Sequence, residues 1–83
     1  MAIKTLKIGT KVLFDCDGNM GEGIIRRYEH NIYEIEVTKH IRGYRGYHSC
    51  GDLLSNNNGW NVPSDEIIKI LSQKIFYKGD YYV

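Results

Sequence analysis

The sequence predicts a small all-β barrel, on three observations. Clusters of Gly, Asn, Asp and Pro recur roughly every 8–12 residues, as turns do in small β-barrels. The segments between these clusters are short and rich in Ile, Val, Tyr and Phe, and helical periodicity is almost absent. Because the chain has 83 residues, we expect one domain over residues 1–83, with a core over 8–71 and a C-terminal β-hairpin over 72–83.

Three strands are predicted in the first half of the chain. Thr10–Asp15 places Val12 and Phe14 on one face, and a second strand covers Glu22–Tyr28. Between them Asp15–Gly21 is dense in turn formers and is expected to be a loop. After a short turn at His30-Asn31, apolar and acidic residues alternate over Ile32–Val37, which is typical of a half-buried strand.

The second half of the chain begins with a long glycine-rich loop. A short strand follows at Gly59–Val62, and its Trp60 is expected to lie in the core. Pro63 fixes a turn, and Ser64–Glu66 is expected to form one helical turn. Ile67–Leu71 is apolar enough for a strand, and Lys78-Gly79 suits the tight turn of a C-terminal hairpin.

The composition is that of an ordinary globular protein, with 42% hydrophobic and 25% charged residues. A net charge of +1 excludes a general polycation, so any contact with nucleic acid requires a local basic patch. No apolar run is long enough to span a membrane, and no membrane partner is expected. The N-terminal residues lack the apolar core of a secretion signal, so we expect a cytoplasmic location with reduced thiols.

His48-x-Cys50 is the clearest chemical signal in the long loop. Zinc takes imidazole and thiolate ligands in a tetrahedral set, and Cys16 of the first loop is a candidate third ligand. The fourth ligand would be one of three polar residues: Asp17, His40 or Asp52. The alternative is that Cys50 is a small buried hydrophobe and His48 a hydrogen-bonded loop anchor. Zinc is therefore a candidate ligand, and no cofactor is required.

A basic and aromatic stretch is the candidate partner-binding site. It consists of Lys39, Arg42, Tyr44, Arg45 and Tyr47. Arg and Tyr dominate protein-interface hot spots, whereas the same residues could hold phosphates and stack on bases. A third alternative is a solvated hairpin tip whose tyrosines cover the barrel mouth. The near-neutral net charge makes a protein partner the preferred expectation over nucleic acid.

The order of the predicted elements resembles an SH3-like barrel. The resemblance rests on four segments: Ile8–Val12, Gly21–Ile25, Tyr33–Val37, and Trp60–Pro63 with Ile67. It covers about residues 8–70 and leaves the tail outside. SH3-like barrels serve many unrelated tasks, so the fold alone does not assign a function.

A narrower resemblance is carried by His48-Ser49-Cys50-Gly51, by Gly59-Trp60, and by the Val-Pro-Ser-Asp-Glu-Ile run that closes the barrel. This pattern is similar to a group of small accessory proteins of bacteriophages and mobile elements. The resemblance implies a non-enzymatic inhibitor of a host defence protein, of the anti-CRISPR type, which occludes a functional site on a CRISPR effector nuclease in the bacterial cytoplasm. Two alternatives stay open, a nucleic-acid-binding module and a structural or assembly subunit of a phage particle.

An enzyme is not expected. Ser, His, Asp and Cys are present, but none stands in a motif that poises a nucleophile against a base. The glycines at 43, 46 and 51 precede no predicted helix, so the chain has no phosphate-binding glycine loop. We therefore name no catalytic residue.

Overall fold

The computed structural model describes residues 6–43 and 58–76 of the chain. Five strands and one turn of 3-10 helix make up these residues, and the prediction of an all-β fold is confirmed. In chain order they are β1 (Thr10–Cys16), β2 (Asn19–Glu29), β3 (Ile32–Arg42), β4 (Gly59–Pro63), the 3-10 turn (Ser64–Glu66) and β5 (Ile67–Ile75).

The strands form one antiparallel sheet in the order β4-β3-β2-β1-β5. The first four strands are joined to their sequence neighbours, and β5 returns to pair with β1. Alternate residues of the strands face one apolar core, as the two-residue period of a strand requires. The buried members of this core are Val12, Phe14, Cys16, Ile25, Tyr33, Ile35, Val37 and Val62. Trp60, predicted to be buried there, is only partly buried and packs against the core from β4.

The turn between β1 and β2 is much shorter than the predicted loop over Asp15–Gly21. Cys16 pairs directly with Asn19, and the two residues between them have positive φ, 53° at Asp17 and 81° at Gly18. Asp-Gly is the preferred sequence for a two-residue type I′ hairpin, whose twist matches that of the strands. The residues on either side therefore extend β1 and β2 instead of forming a loop.

The short turn predicted at His30-Asn31 is confirmed. Both residues have positive φ, 52° and 64°, and Glu29 pairs directly with Ile32. Asn tolerates this left-handed conformation well, and its side-chain oxygen accepts a hydrogen bond of 2.8 Å from the Tyr28 hydroxyl. This hydrogen bond fixes the hairpin end of β2 and β3.

β3 and β5 also run further than their sequence patterns predict. β3 continues from Val37 to Arg42, with register shifts in its pairing to β2 that accommodate extra residues. β5 continues past Leu71 to Ile75, which pairs with Thr10 of β1. Residues 72–75 thus belong to the sheet, whereas the predicted turn at Lys78-Gly79 lies outside the described residues. The helical turn predicted at Ser64–Glu66 is confirmed as 3-10 helix.

Candidate interaction surface

Lys39 and Arg42 lie on β3, although the sequence pattern predicted that they belong to a loop. Both side chains are exposed. Lys39 is paired with Glu22 of β2, and Arg42 is paired with Met20 of the same strand. The strand therefore holds these two cations at fixed positions on the sheet. The other three predicted contact residues, Tyr44, Arg45 and Tyr47, lie outside the described residues.

Arg42 is held by an ion pair that crosses β2. Its Nη2 donates to Oδ2 of Asp15 over 2.9 Å, and the two side chains are 57% and 36% exposed. Both residues are paired with Met20, one from each side. An exposed pair of this kind adds no more than about 1 kcal/mol to stability. Its consequence is to orient the guanidinium at the surface, where a partner can reach it.

Gly43 sets the direction in which the chain leaves β3. Its φ is 99°, and a Cβ there would clash with Oδ1 of Asn19 and lie 2.7 Å from the carbonyl oxygen of Gly18. Glycine is the residue that adopts this left-handed backbone conformation without strain and also fits the space, because it has no Cβ. The segment that follows Arg42 therefore starts from a defined point over the β1–β2 turn.

A buried ion pair between Arg26 and Glu36 was not predicted from the sequence. Nε of Arg26 donates to Oε1 of Glu36 over 2.9 Å, and the side chains are only 3% and 1% exposed. Charged residues are almost never this deeply buried unless they are paired. The sequence feature that could have indicated this pair is the run Arg26-Arg27 in one strand, followed by Glu34-x-Glu36 in the next.

A β-bulge explains why the consecutive residues Arg26 and Arg27 can both form ion pairs with glutamates of β3. The pairing of β2 with β3 shifts between Ile25 and Arg27, so that Arg26 is the extra residue of β2 at this point. A bulge re-aims the extra side chain. Arg27 then reaches Glu34 over 2.9 Å, next to the Arg26–Glu36 pair. The two ion pairs therefore stand side by side on the same two strands.

The buried pair also joins the ends of two other segments. Nη1 of Arg26 donates to the carbonyl oxygen of Phe76 over 2.7 Å, just beyond β5. The other carboxylate oxygen of Glu36 accepts from the Asn58 amide over 3.4 Å, and the Asn58 carbonyl accepts from the Val37 backbone N–H over 2.8 Å. Asn58 is thereby fixed where the chain enters β4. The Arg26–Glu36 pair thus links all the strands except β1 within the described part of the chain.

A shallow depression lies near the β2–β3 hairpin. It has a volume of about 210 Å³ and is lined by Arg27, Glu29, Ile32, Glu34 and Asn61. Because the Arg27 guanidinium is already paired with Glu34, the depression offers mainly the Glu29 carboxylate and an exposed amide. None of these residues was predicted as a site.

Cys16, the predicted third zinc ligand, is a core residue. Its side chain is buried, and its Sγ lies 3.9 Å from the carbonyl oxygen of Asn61. Burial raises the pKa of the thiol above its ordinary value, and the charges of Glu66 and Asp17 act in the same direction, whereas a hydrogen bond to Trp60 lowers it. A protonated thiol is a poor zinc ligand.

The rest of the predicted zinc site is not described. His48 and Cys50 lie outside the described residues. Within residues 6–43 and 58–76, no three His, Cys, Asp or Glu side chains are grouped so that they could hold a metal ion. Zinc binding by the long loop stays a prediction, and native mass spectrometry with and without a chelator tests it.

Comparisons with known proteins found no similar protein. No protein-family model, no curated protein and no solved structure matches this chain. In the described residues no helix is long and apolar enough to cross a membrane.

Proposed function

We propose that this protein is a non-enzymatic binding module built on an SH3-like barrel. The proposal for the barrel is supported by the sheet order, in which β1 pairs with both β2 and β5. It is also supported by the single 3-10 turn between β4 and β5. This is the element order on which the sequence resemblance rests.

The observation that carries the binding role is the pair of exposed cations at the end of β3. Arg42 directly precedes Gly43, Lys39 lies four residues before it, and Asp15 orients the Arg42 guanidinium. The sequence continues with Tyr44, Arg45 and Tyr47. Cations and aromatic residues presented together favour an acidic partner surface. The partner-binding site therefore begins on β3 and continues into the segment after it.

The specific form of the proposal is an inhibitor of a host defence protein in the bacterial cytoplasm, such as a CRISPR effector nuclease. It rests on the sequence resemblance to accessory proteins of phages and mobile elements. Inhibition would occur by occlusion, because Arg and Tyr side chains would occupy a site that the nuclease needs for its nucleic acid or for a conformational step. An acidic part of that site, such as the carboxylates of a nuclease active centre, would suit these cationic side chains.

The test is inhibition of DNA cleavage by a panel of purified CRISPR effector nucleases. We expect cleavage by a susceptible effector to fall with added protein and to reach its minimum at a fixed molar ratio. The double variant Arg42→Glu/Arg45→Glu should lose this inhibition, whereas Lys7→Glu, an exposed change of the same sign outside the strands, should keep it. Circular dichroism should show that the double variant remains folded, because the exposed Arg42–Asp15 pair contributes little stability.

Two results would contradict the proposal. One is that no effector is inhibited at any ratio, and the other is that the double variant inhibits as well as the wild type. The rival nucleic-acid module makes a different prediction, since its affinity for a labelled oligonucleotide should fall steeply between 50 and 200 mM salt through counterion release. An assembly subunit would instead form rings or chains in native mass spectrometry.

A further inference from the structure

The strand register brings charged residues from four strands into one row on the outer face of the sheet. Lys69 of β5 is paired with Leu13 of β1, Leu13 with Glu22 of β2, and Glu22 with Lys39 of β3. Directly paired residues point to the same side of a sheet and stand roughly 5 Å apart. Lys39 is therefore one member of a row that crosses the sheet to its β5 edge.

A second row lies beside the first. Asp15, Met20 and Arg42 are paired across β1, β2 and β3, and the ion pair between Asp15 and Arg42 shows that their side chains are on the same face. Leu13 and Met20 are partly buried, and they come from neighbouring strands in adjacent rows. The two rows together surround a small apolar centre with charged residues.

The third row contributes cations around an aromatic ring. Nζ of Lys11 lies 4.0 Å from Glu22 Oε1, which places Lys11 on the same face as the first row. The same ammonium lies 5.8 Å from the centre of the Phe76 ring, and that of Lys74 lies 5.1 Å from it. Cations at this distance from a ring are attracted by its negative face. Lys11 and Lys74 are therefore held together near the β5 edge.

We call these outer residues the basic sheet face. Its basic members are Lys11, Lys39, Arg42, Lys69 and Lys74, its acidic members are Asp15 and Glu22, and its uncharged members are Leu13, Met20 and Phe76. Glu36 continues the third row but is buried against Arg26. The remaining described residues hold three basic and six acidic side chains. The net charge of +1 therefore conceals a strong separation of charge.

We propose that the basic sheet face docks an acidic protein surface that also carries apolar residues. An apolar centre with a charged rim is the usual anatomy of a protein–protein interface. The two carboxylates inside the face disfavour a phosphodiester backbone, which is negatively charged throughout. The inference rests on the proposed function, because it extends the site of Lys39 and Arg42 from the end of β3 across β2, β1 and β5.

The test uses a random peptide library of balanced charge, selected on the immobilised protein. We expect the enriched peptides to combine acidic with apolar residues. A synthetic peptide from this set should bind at least about tenfold more weakly to Lys11→Glu/Lys69→Glu than to the wild type, since reversing two charges converts attraction into repulsion. The matched control Lys7→Glu should change the affinity by less than about twofold.

The outcomes separate the inference from the proposed function. If Lys11→Glu/Lys69→Glu binds like the wild type while Arg42→Glu/Arg45→Glu does not, the basic sheet face is excluded and the β3 site stands. If neither double variant weakens binding, both proposals fail. The inference is also overturned if the selection yields no acidic peptides, or if a dT20 oligonucleotide binds and displaces the peptide, because the face would then recognise nucleic acid.

Discussion

Removing either partner of the Arg26–Glu36 pair should destabilise the protein severely, whereas removing both should not. Glu36→Gln leaves a cation that is only 3% exposed without its counter-charge, and Arg26→Met leaves a carboxylate that is 1% exposed. In both cases the remaining charge stays desolvated. In the double variant Arg26→Met/Glu36→Gln, no charge is left in the interior.

The expected magnitudes follow from the burial. Loss of one partner of a buried ion pair typically costs about 3–5 kcal/mol, because an unpaired charge remains in a low-dielectric site. An 83-residue domain has a total stability of roughly 4–12 kcal/mol, at about 0.05–0.15 kcal/mol per residue. Each single variant should therefore lose a large part of the stability, and Tm should fall by more than about 10 °C. The double variant should lose less than the sum of the two, with a coupling free energy of about 2 kcal/mol or more.

Urea denaturation measures these free energies. Trp60 is the single tryptophan of the chain and packs against the core, so its fluorescence reports unfolding. The neighbouring pair Arg27–Glu34 provides a matched control. It has the same residue types on the same two strands and the same 2.9 Å distance, but its side chains are 51% and 19% exposed. The equivalent cycle there should give a coupling of less than about 1 kcal/mol.

The comparison of the two cycles can refute the reasoning. If the Arg26 and Glu36 variants are additive within about 0.5 kcal/mol, the pair is not coupled in the folded protein. If both cycles give the same coupling, burial is not what distinguishes the two pairs. Either result would contradict the explanation that burial makes the Arg26–Glu36 pair a strong contributor to stability.

The other predictions concern the core and the turns. Burial raises the pKa of the Cys16 thiol above 9.0, so folding favours the protonated thiol, and this contribution to stability is constant below that pH and is lost above it. The difference in free energy of unfolding between the wild type and Cys16→Ala should therefore shrink only above pH 9.0. A difference that stays constant in urea titrations up to pH 10.5 would contradict this prediction. Gly23→Ala should cost about 1–3 kcal/mol, because its Cβ would clash with Cγ2 of Ile35 and lie 2.7 Å from the Glu36 carbonyl oxygen. Gly18→Ala meets nothing within 4 Å, so it should cost only the strain of positive φ, about 1 kcal/mol, and an equal loss at both glycines in urea denaturation would contradict the steric explanation.

The features that sequence predicted well are those set by neighbouring residues. The His30-Asn31 turn and the single turn at Ser64–Glu66 depend on local patterns, and both are present. The alternation over Ile32–Val37 is present except at Glu36, which is buried. The loop over Asp15–Gly21 was predicted wrongly for a local reason as well. A cluster of turn formers indicates that the chain reverses, but it does not say that two residues, Asp17 and Gly18, are enough.

The features that sequence could not predict depend on strand register. The interior position of Arg26 follows from a bulge in the pairing of β2 with β3, and bulges have no reliable signature in a single sequence. Lys39 was predicted to bind a partner, but the other charged residues of its row, Glu22 and Lys69, are distant from it in the chain. Only the pairing of four strands brings them together. A composition with a net charge of +1 could not reveal this, because composition does not record position.

The same bulge connects the stability of the sheet to its surface chemistry. Without the extra residue at Arg26, strand alternation would send Arg26 and Arg27 to opposite faces, so only one of them could pair with Glu34 or Glu36. With it, both arginines and both glutamates neutralise one another. Each of these four charges is therefore compensated within β2 and β3, although the Arg27 side chain stays 51% exposed. In the described residues, the basic sheet face is where basic side chains outnumber acidic ones, five to two, and it is the surface that we propose for recognition.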